Sequence, residues 1–243
     1  MTQLHDDAIV YIKTHKNELI EKFASKTTYP SVENPEAFFM AGSPGAGKTE
    51  YSKAFIEELE NKDSKRKIVR IDADEIRDSI PLYNHKNSDE VQGASVIGVE
   101  KILDHALKNN QEFLLDATFA LYDKSYTNID RCLRDNRKVN IYYIYLDPLI
   151  AWDITQKREV LEGRRVPKGI FIKAFFNAKD NVNRVKKELG KKVQLTLIIK
   201  NFKDGKLGVE KIHLNIDNID NYLKIEYNPT SLEEKLYENI QNS

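Results

Sequence analysis

The sequence has a single cysteine, Cys132, which removes two classes of protein from consideration. A disulfide framework needs pairs of cysteines, and a multi-cysteine zinc site needs several thiolates. The five histidines (His5, His15, His85, His105 and His213) are too scattered to replace them. An excess of charge is also lacking, because 38 Lys and Arg balance 38 Asp and Glu. No global field therefore draws the chain to nucleic acid or to an anionic membrane, and an anionic substrate must be held by local charge. Long apolar runs are missing too. The longest, residues 141–146, is far short of the roughly 20 residues of a membrane span, and the N-terminal stretch MTQLHDDAIVYIKTHKNEL is interrupted by charge every few positions. These absences lead us to expect a cytoplasmic protein in a reducing setting, with neither a membrane nor a nucleic acid as partner.

With 243 residues the chain has room for one decorated α/β domain. Residues 5–24 place Ile9, Ile12, Leu19, Ile20 and Phe23 near helical spacing and run into a polar, proline-bearing stretch at 25–35. This predicts an N-terminal helical extension over residues 1–35, followed by the main domain over 36–243. Short apolar runs without alternation follow at 37–41, 67–71, 112–117, 139–146 and 194–200, separated by stretches of helical length. Runs of this kind are what strands covered on both faces look like, so a mainly parallel sheet between helices is expected. The turn signal Asp204-Gly205 followed by residues 209–214 predicts a C-terminal hairpin. The segment 215–221, NIDNIDN, reads as a polar turn region. Leu232, Leu236 and Ile240 then predict a last helix, with Ser231 as N-cap and Glu234 completing a capping box.

Directly after the first predicted strand stands Gly42-Ser43-Pro44-Gly45-Ala46-Gly47-Lys48-Thr49, a complete P-loop pattern. Its glycines let the backbone wrap a phosphate with N–H groups, Lys48 can reach the β and γ phosphates, and the Thr49 hydroxyl can ligate Mg²⁺. The guanine-reading signals of a GTPase are absent: Asn61-Lys62-Asp63-Ser64 lacks the final aspartate, and Asp116 is followed by Ala117-Thr118-Phe119. ATP with Mg²⁺ is the expected pair.

Acidic residues close two further predicted strands. Ile71-Asp72-Ala73-Asp74-Glu75 puts carboxylates in the crevice beside the P-loop, where one can accept a hydroxyl proton. The same residues start a helix well, so one aspartate can serve purely as an N-cap. Asp74 is preferred as the base, leaving Asp72 to close the strand or orient its neighbour. Leu114-Leu115-Asp116-Ala117-Thr118 places a carboxylate that can approach metal or substrate, and a hydroxyl, on the same rim. Strand-end capping is the competing role for Asp116. Finally, Lys157-Arg158 and Gly163-Arg164-Arg165-Val166-Pro167-Lys168 supply arginines after the fourth strand. Such arginines either form a solvated face or stabilise the charge that spreads over a transferred phosphoryl group.

In this order the motifs MAGSPGAGKTE, IDADEIR, LLDATF and KREVLEGRRVPKGIF resemble the zeta toxin family of P-loop kinases, over about residues 38–200. The resemblance implies strand order 2-3-1-4-5 and transfer of the ATP γ-phosphoryl group to UDP-N-acetylglucosamine, held in check by a cognate antitoxin. It implies Asp74 as the catalytic aspartate, Asp116 and Thr118 as the pair that binds the sugar nucleotide, and Arg158 with Arg164 as the transition-state arginines; Arg165 is the alternative to Arg164. Two departures stand out. Well-studied members carry Glu where this chain has Asp116, and the segment between their two arginines is longer. Other readings left open are a kinase for an antibiotic, a nucleotide or a polynucleotide end, and a P-loop module that binds nucleotide without transferring phosphate.

Overall fold

β1 (Glu36–Ala41) is apolar after its first residue because both of its faces are covered. Ala37, Phe39 and Ala41 enter one buried cluster, while Phe38 and Met40 enter another on the opposite side. The computed structural model describes residues 2–163, 165–203 and 205–241, apart from the side chains of residues 162 and 238–241. Around β1 stand β2 (Ile68–Asp72), β3 (Glu112–Asp116), β4 (Lys138–Tyr145) and β5 (Val193–Lys203), all parallel and in the expected order 2-3-1-4-5.

A sixth strand extends the expected five-stranded sheet. β6 (Lys206–His213) pairs antiparallel with β5, so the predicted hairpin is continuous with the main sheet. Of its turn signal, Asp204 lies outside the described residues, and Gly205 takes φ +75°.

Helices cover both faces, as three layers require. Beneath Phe38 and Met40 lie α3 (Lys48–Lys62), α7 (Pro148–Glu162) and α9 (Pro229–Gln241), through Phe55, Trp152, Leu232 and Leu236. The other face is covered by α1 (Gln3–Thr14), α2 (Lys16–Ala24), α5 (Ser88–Lys108) and α6 (Tyr122–Arg134). The short α4 (Ala73–Asp78) follows β2. The long α8 (Lys168–Leu189) contributes Phe171 and Phe175 to one cluster and Val182 and Val185 to the other. Cys132 of α6 is buried, and burial pushes its thiol up to about 12, so it behaves as a core residue.

The predicted N-terminal helix is two helices, broken at His15, whose ring stacks on Tyr11 at 4.1 Å. Both pack on α5 and enter its core cluster through Ala8, Ile12, Leu19 and Ala24. Close approach depends on Gly98 of α5: a Cβ there would lie 2.6 Å from Ile76 and 3.4 Å from Leu19. Buried Gln111 ties down the end of α2, its amide donating to the carbonyls of Ala24 (2.9 Å) and Tyr29 (2.7 Å).

At the other end, α9 begins at Pro229, earlier than the predicted Ser231 cap. Asn228 and Ser231 cap each other: the Ser231 N–H donates to Asn228 Oδ1 and the Asn228 N–H to Ser231 Oγ. Ile240 lies outside the described side chains. The 215–221 segment is less polar in effect than it reads, because its turn carries Ile216 and Ile219 into the core.

Ile12 is 1 % exposed at the α1–α5 contact. Ile12→Ala is expected to lower stability by about 2–4 kcal/mol, measured by urea denaturation. A loss below about 1 kcal/mol would mean that α1 stands outside the cooperative fold.

Candidate active site

The segment between β1 and α3 can wrap a phosphate only where its backbone leaves the territory of ordinary side chains. Gly42 takes φ +136°, and a Cβ on it would sit 2.3 Å from the Ile144 carbonyl of β4; Gly45 takes φ +74° and presses against the Ala151 carbonyl and Thr155 of α7. Lys48 folds back across the loop, its Nζ donating to the carbonyls of Ser43 (2.8 Å) and Gly42 (3.1 Å). The Gly42 N–H donates to the Thr118 carbonyl (3.1 Å), joining the loop to the rim of β3. Lys200 of β5 approaches from below: this buried ammonium donates to the Gly47 carbonyl at 3.2 Å, and burial lowers its pKa.

Next to the loop opens a cavity of about 340 Å³. Its walls bring together Pro44, Gly45, Gly47, Lys48 and Thr49 of the loop, Asp72 and Asp74 after β2, Asp116 and Thr118 after β3, and Arg158 of α7. Residues that were far apart in the sequence thus face one space. Gln92, Val96 and Val99 of α5 and Lys124, Ser125 and Asn128 of α6 complete the far wall. Arg165 is elsewhere: its side chain is 70 % exposed and reaches towards Glu159 at 4.0 Å. Arg164 lies outside the described residues. Among the described residues, none from the first 35 lines the cavity.

The two aspartates after β2 have separate structural positions. Asp72 is the N-cap of α4, its Oδ1 accepting from the Asp74 N–H at 2.8 Å. Asp74 sits in the first turn, where its Oδ1 accepts from Arg77 Nη1 at 2.8 Å; Arg77 in turn donates to Gln92 of α5 and so anchors Asp74 to the opposite wall. Thr118 Oγ1 accepts from the Ala120 N–H at 3.4 Å. Phe119, which follows it, is buried with φ +65°, and its carbonyl accepts from Asn181 of α8 at 3.0 Å.

Reading motifs along the chain missed Arg70, Ser52, Arg77, Gln92 and Lys200. Of these, Arg70 was within reach of strand periodicity. Residues 68, 70 and 72 share the face of β2 on which α3 packs, and the parallel register aligns Asp72 with Asp116. There Arg70 lies within hydrogen-bond distance of both carboxylates, 2.6 Å from Glu75, and donates through Nε to Ser52 Oγ at 3.0 Å. Ser52 Oγ is also 3.0 Å from Asp116 Oδ2. Burial raises the pKa of Asp116 and Asp72 adds to the effect, with Lys48 and Arg70 opposing it.

The zeta toxin family model matches residues 20–209. The chain belongs to the zeta toxin family. It is therefore a P-loop kinase, a phosphotransferase, in agreement with the loop and the crevice beside it. Solved structures share the fold. The chain superimposes with TM-score 0.63 and 15 % identity, over 98 % of its own length and 94 % of the other, on a structure from the PezAT chromosomal toxin–antitoxin system of Streptococcus pneumoniae. It matches an AvrRxo1-ORF1:-ORF2 complex with ATP at TM-score 0.59 and 15 % identity, over 90 % of this chain and 70 % of that one. No protein of curated function matches it significantly. Among the described residues, no helix of this zeta toxin family member is long and apolar enough to cross a membrane, and no cluster of His, Cys, Asp and Glu forms a metal cage.

Gly45→Ala tests the loop geometry. The new Cβ would lie 2.0 Å from the Ala151 carbonyl, a backbone atom with little room to yield. Nucleotide affinity is expected to fall at least about tenfold, the equivalent of about 1.4 kcal/mol, in a titration with a fluorescent ATP analogue. Unchanged affinity would show that the loop binds in another conformation.

Proposed function

We propose that this kinase transfers the γ-phosphoryl group of ATP to a hydroxyl of a sugar nucleotide, with UDP-N-acetylglucosamine as the leading acceptor. The observation that carries the proposal is the convergence of Lys48, Asp74, Asp116, Thr118 and Arg158 on one cavity beside the P-loop. In such a reaction catalysis consists mostly of positioning and of stabilising charge, and these residues are the types that do both. The backbone of Gly42, Ser43, Pro44, Gly45, Ala46 and Gly47 cradles the phosphates. Lys48 leaves its loop carbonyls for the β and γ oxygens.

Asp74 accepts the acceptor hydroxyl's proton, held in direction by Arg77. Asp116 and Thr118 bind the sugar nucleotide. Arg158, with Arg164, offsets the negative charge that builds on the transferred group. The donor set suits Mg²⁺, since hard oxygen ligands are what that ion takes: the Thr49 hydroxyl lies on the same cavity as the carboxylates. Thr49 would hold it, and when bound it neutralises charge on the β and γ phosphates.

The AvrRxo1-ORF1:-ORF2 structure with ATP supports ATP as donor, and the structure from the PezAT toxin–antitoxin system supports a toxin restrained by a cognate antitoxin. Neither carries the acceptor to this chain. The acceptor reading rests on the resemblance that matches Asp116 and Thr118 to the family's sugar-nucleotide pair, and a cytoplasmic site of action would give the enzyme access to both nucleotides.

Incubation with ATP, Mg²⁺ and a panel of sugar nucleotides, aminoglycosides and nucleosides tests the reaction. The expected result is a mass gain of one phosphate on UDP-N-acetylglucosamine; a gain confined to another acceptor would reassign the substrate. Lys48→Ala is expected to abolish transfer while keeping the fold, as judged by circular dichroism, and undiminished turnover would refute the mechanism. Asp74→Asn is expected to lower kcat by about a hundredfold to ten-thousandfold, with KM changing far less. Because Asp72 is the N-cap and Asn caps well, Asp72→Asn serves as the mild control. A larger loss from Asp72→Asn would move the base to that residue.

A further inference from the structure

Arg70 belongs to none of the motifs that point to phosphoryl transfer, yet it touches three carboxylates beside the cavity, those of Asp72, Glu75 and Asp116. The reason lies in strand geometry. In a parallel ladder with this register, Asp72 and Asp116 stand side by side at adjacent strand ends, and both side chains turn to the face covered by α3. Two carboxylates that close disfavour each other's ionisation, and burial compounds the cost. Arg70, two residues before Asp72 on the same face, places its guanidinium between them: Nη2 serves both Asp72 and Asp116, Nη1 pairs with Glu75 and Nε donates to Ser52. Its side chain is only 10 % exposed.

The contacts on Asp116 are one-sided. Among the described residues, the contacts on its side chain, from Arg70 and from the Ser52 hydroxyl that it shares with the Thr49 carbonyl, both fall on Oδ2. Oδ1 is the oxygen left for the cavity that Asp116 lines. Among the described residues, the charged groups nearest this carboxylate are Asp72 and Arg70 from β2 and Lys48 from the start of α3; Asp74 of α4, Lys124 of α6 and Arg158 of α7 share its cavity, and Glu75 of α4 pairs with Arg70. Arg70 and Ser52, both on Oδ2, give the short Asp116 side chain a fixed direction.

We propose that Arg70 is a positioning residue for the phosphate acceptor: it fixes the Asp116 carboxyl group, with Oδ2 turned to Arg70 and Ser52 and Oδ1 presented to an acceptor hydroxyl. This rests on the reading of Asp116 as part of the acceptor site. It separates Arg70 from a residue that merely neutralises a buried network, because a purely structural arginine would affect ATP and the acceptor alike.

The test has one arm that needs no catalysis. The side-chain carboxyl carbons of Asp are labelled with ¹³C, the Asp116 resonance is assigned by its loss in Asp116→Asn, and wild type and Arg70→Met are titrated by NMR. Removing an adjacent cation favours the protonated acid, so the Asp116 midpoint is expected to rise by about one pH unit or more. An unmoved midpoint would overturn the proposal. In the second arm, kinetics with ATP and UDP-N-acetylglucosamine are expected to show the acceptor KM raised about tenfold by Arg70→Met, with the ATP KM changed less than about twofold. Arg70→Lys should recover part of the loss, and Arg70→Met should add less than about twofold in an Asp116→Asn background. Equal effects on both substrates, or additivity with Asp116→Asn, would reduce Arg70 to a structural residue. Should Arg70→Met not fold, Arg70→Gln and Arg70→Lys carry both arms. If the wild type transfers nothing to UDP-N-acetylglucosamine, the proposed acceptor and the acceptor half of this inference both fall, while the titration still decides whether Arg70 holds the carboxylate.

Discussion

Two carboxylates stand side by side at the ends of β2 and β3, and the cation between them is what lets the crevice exist as an acidic site. Parallel pairing brings Asp72 against Asp116, and burial withdraws the water that would otherwise screen them. Arg70 supplies the missing charge from within the same strand, and Ser52 of α3 completes the arrangement. Further parts of the site lean on this cluster. Asp72 is thereby placed to cap α4, the capped helix presents Asp74 to the cavity, and Arg77 of that helix reaches Gln92 on the opposite wall. A continuous chain of hydrogen bonds therefore runs from the strand end to the far wall.

The phosphate loop is fixed by sterics as much as by hydrogen bonds. Gly42 lies against the backbone of β4 and Gly45 against the backbone of α7, so loop and helix are set in place together. The arginine-bearing helix is held at its other end too: Gly163, at φ +67°, closes α7 where a Cβ would stand 1.7 Å from the His85 carbonyl. Arg158 lies on this helix between the two contacts. Its approach to the cavity is thus set by a glycine in the P-loop and by a segment between α4 and α5, neither of which is near it in sequence. Lys200 adds a third constraint, since β5, on the far side of β4, brings its ammonium to the Gly47 carbonyl.

What was legible along the chain was legible because it was local. Continuous apolar runs revealed strands covered on both faces, and the glycine pattern revealed the phosphate loop, since backbone wrapping demands particular residues at particular spacings. Asp74, Asp116 and Thr118 could be singled out because each stands at or just after a strand end that can be read from its neighbours, and Arg158 because it belongs to a basic pair in the helix after β4; all four line the cavity. Boundaries were less legible. The last helix starts at Pro229 because Asn228 and Ser231 cap each other, an arrangement that Ser231 and Glu234 seemed to offer equally well. The break at His15 stayed hidden because the apolar spacing continues across it.

By itself, then, the order of residues determined the fold class, the phosphate-binding loop and the set of candidate polar groups, all of which follow from backbone sterics and from hydrophobic periodicity over a few neighbours. The tertiary structure alone decided which of those groups meet. The register that aligns Asp72 with Asp116, the insertion of Arg70 between them, the antiparallel strand that joins the sheet beyond β5 and the reach of Lys200 to the loop all depend on pairing between segments tens of residues apart. Such pairings are selected by the burial and charge balance of the whole molecule, and no short window of sequence contains both partners.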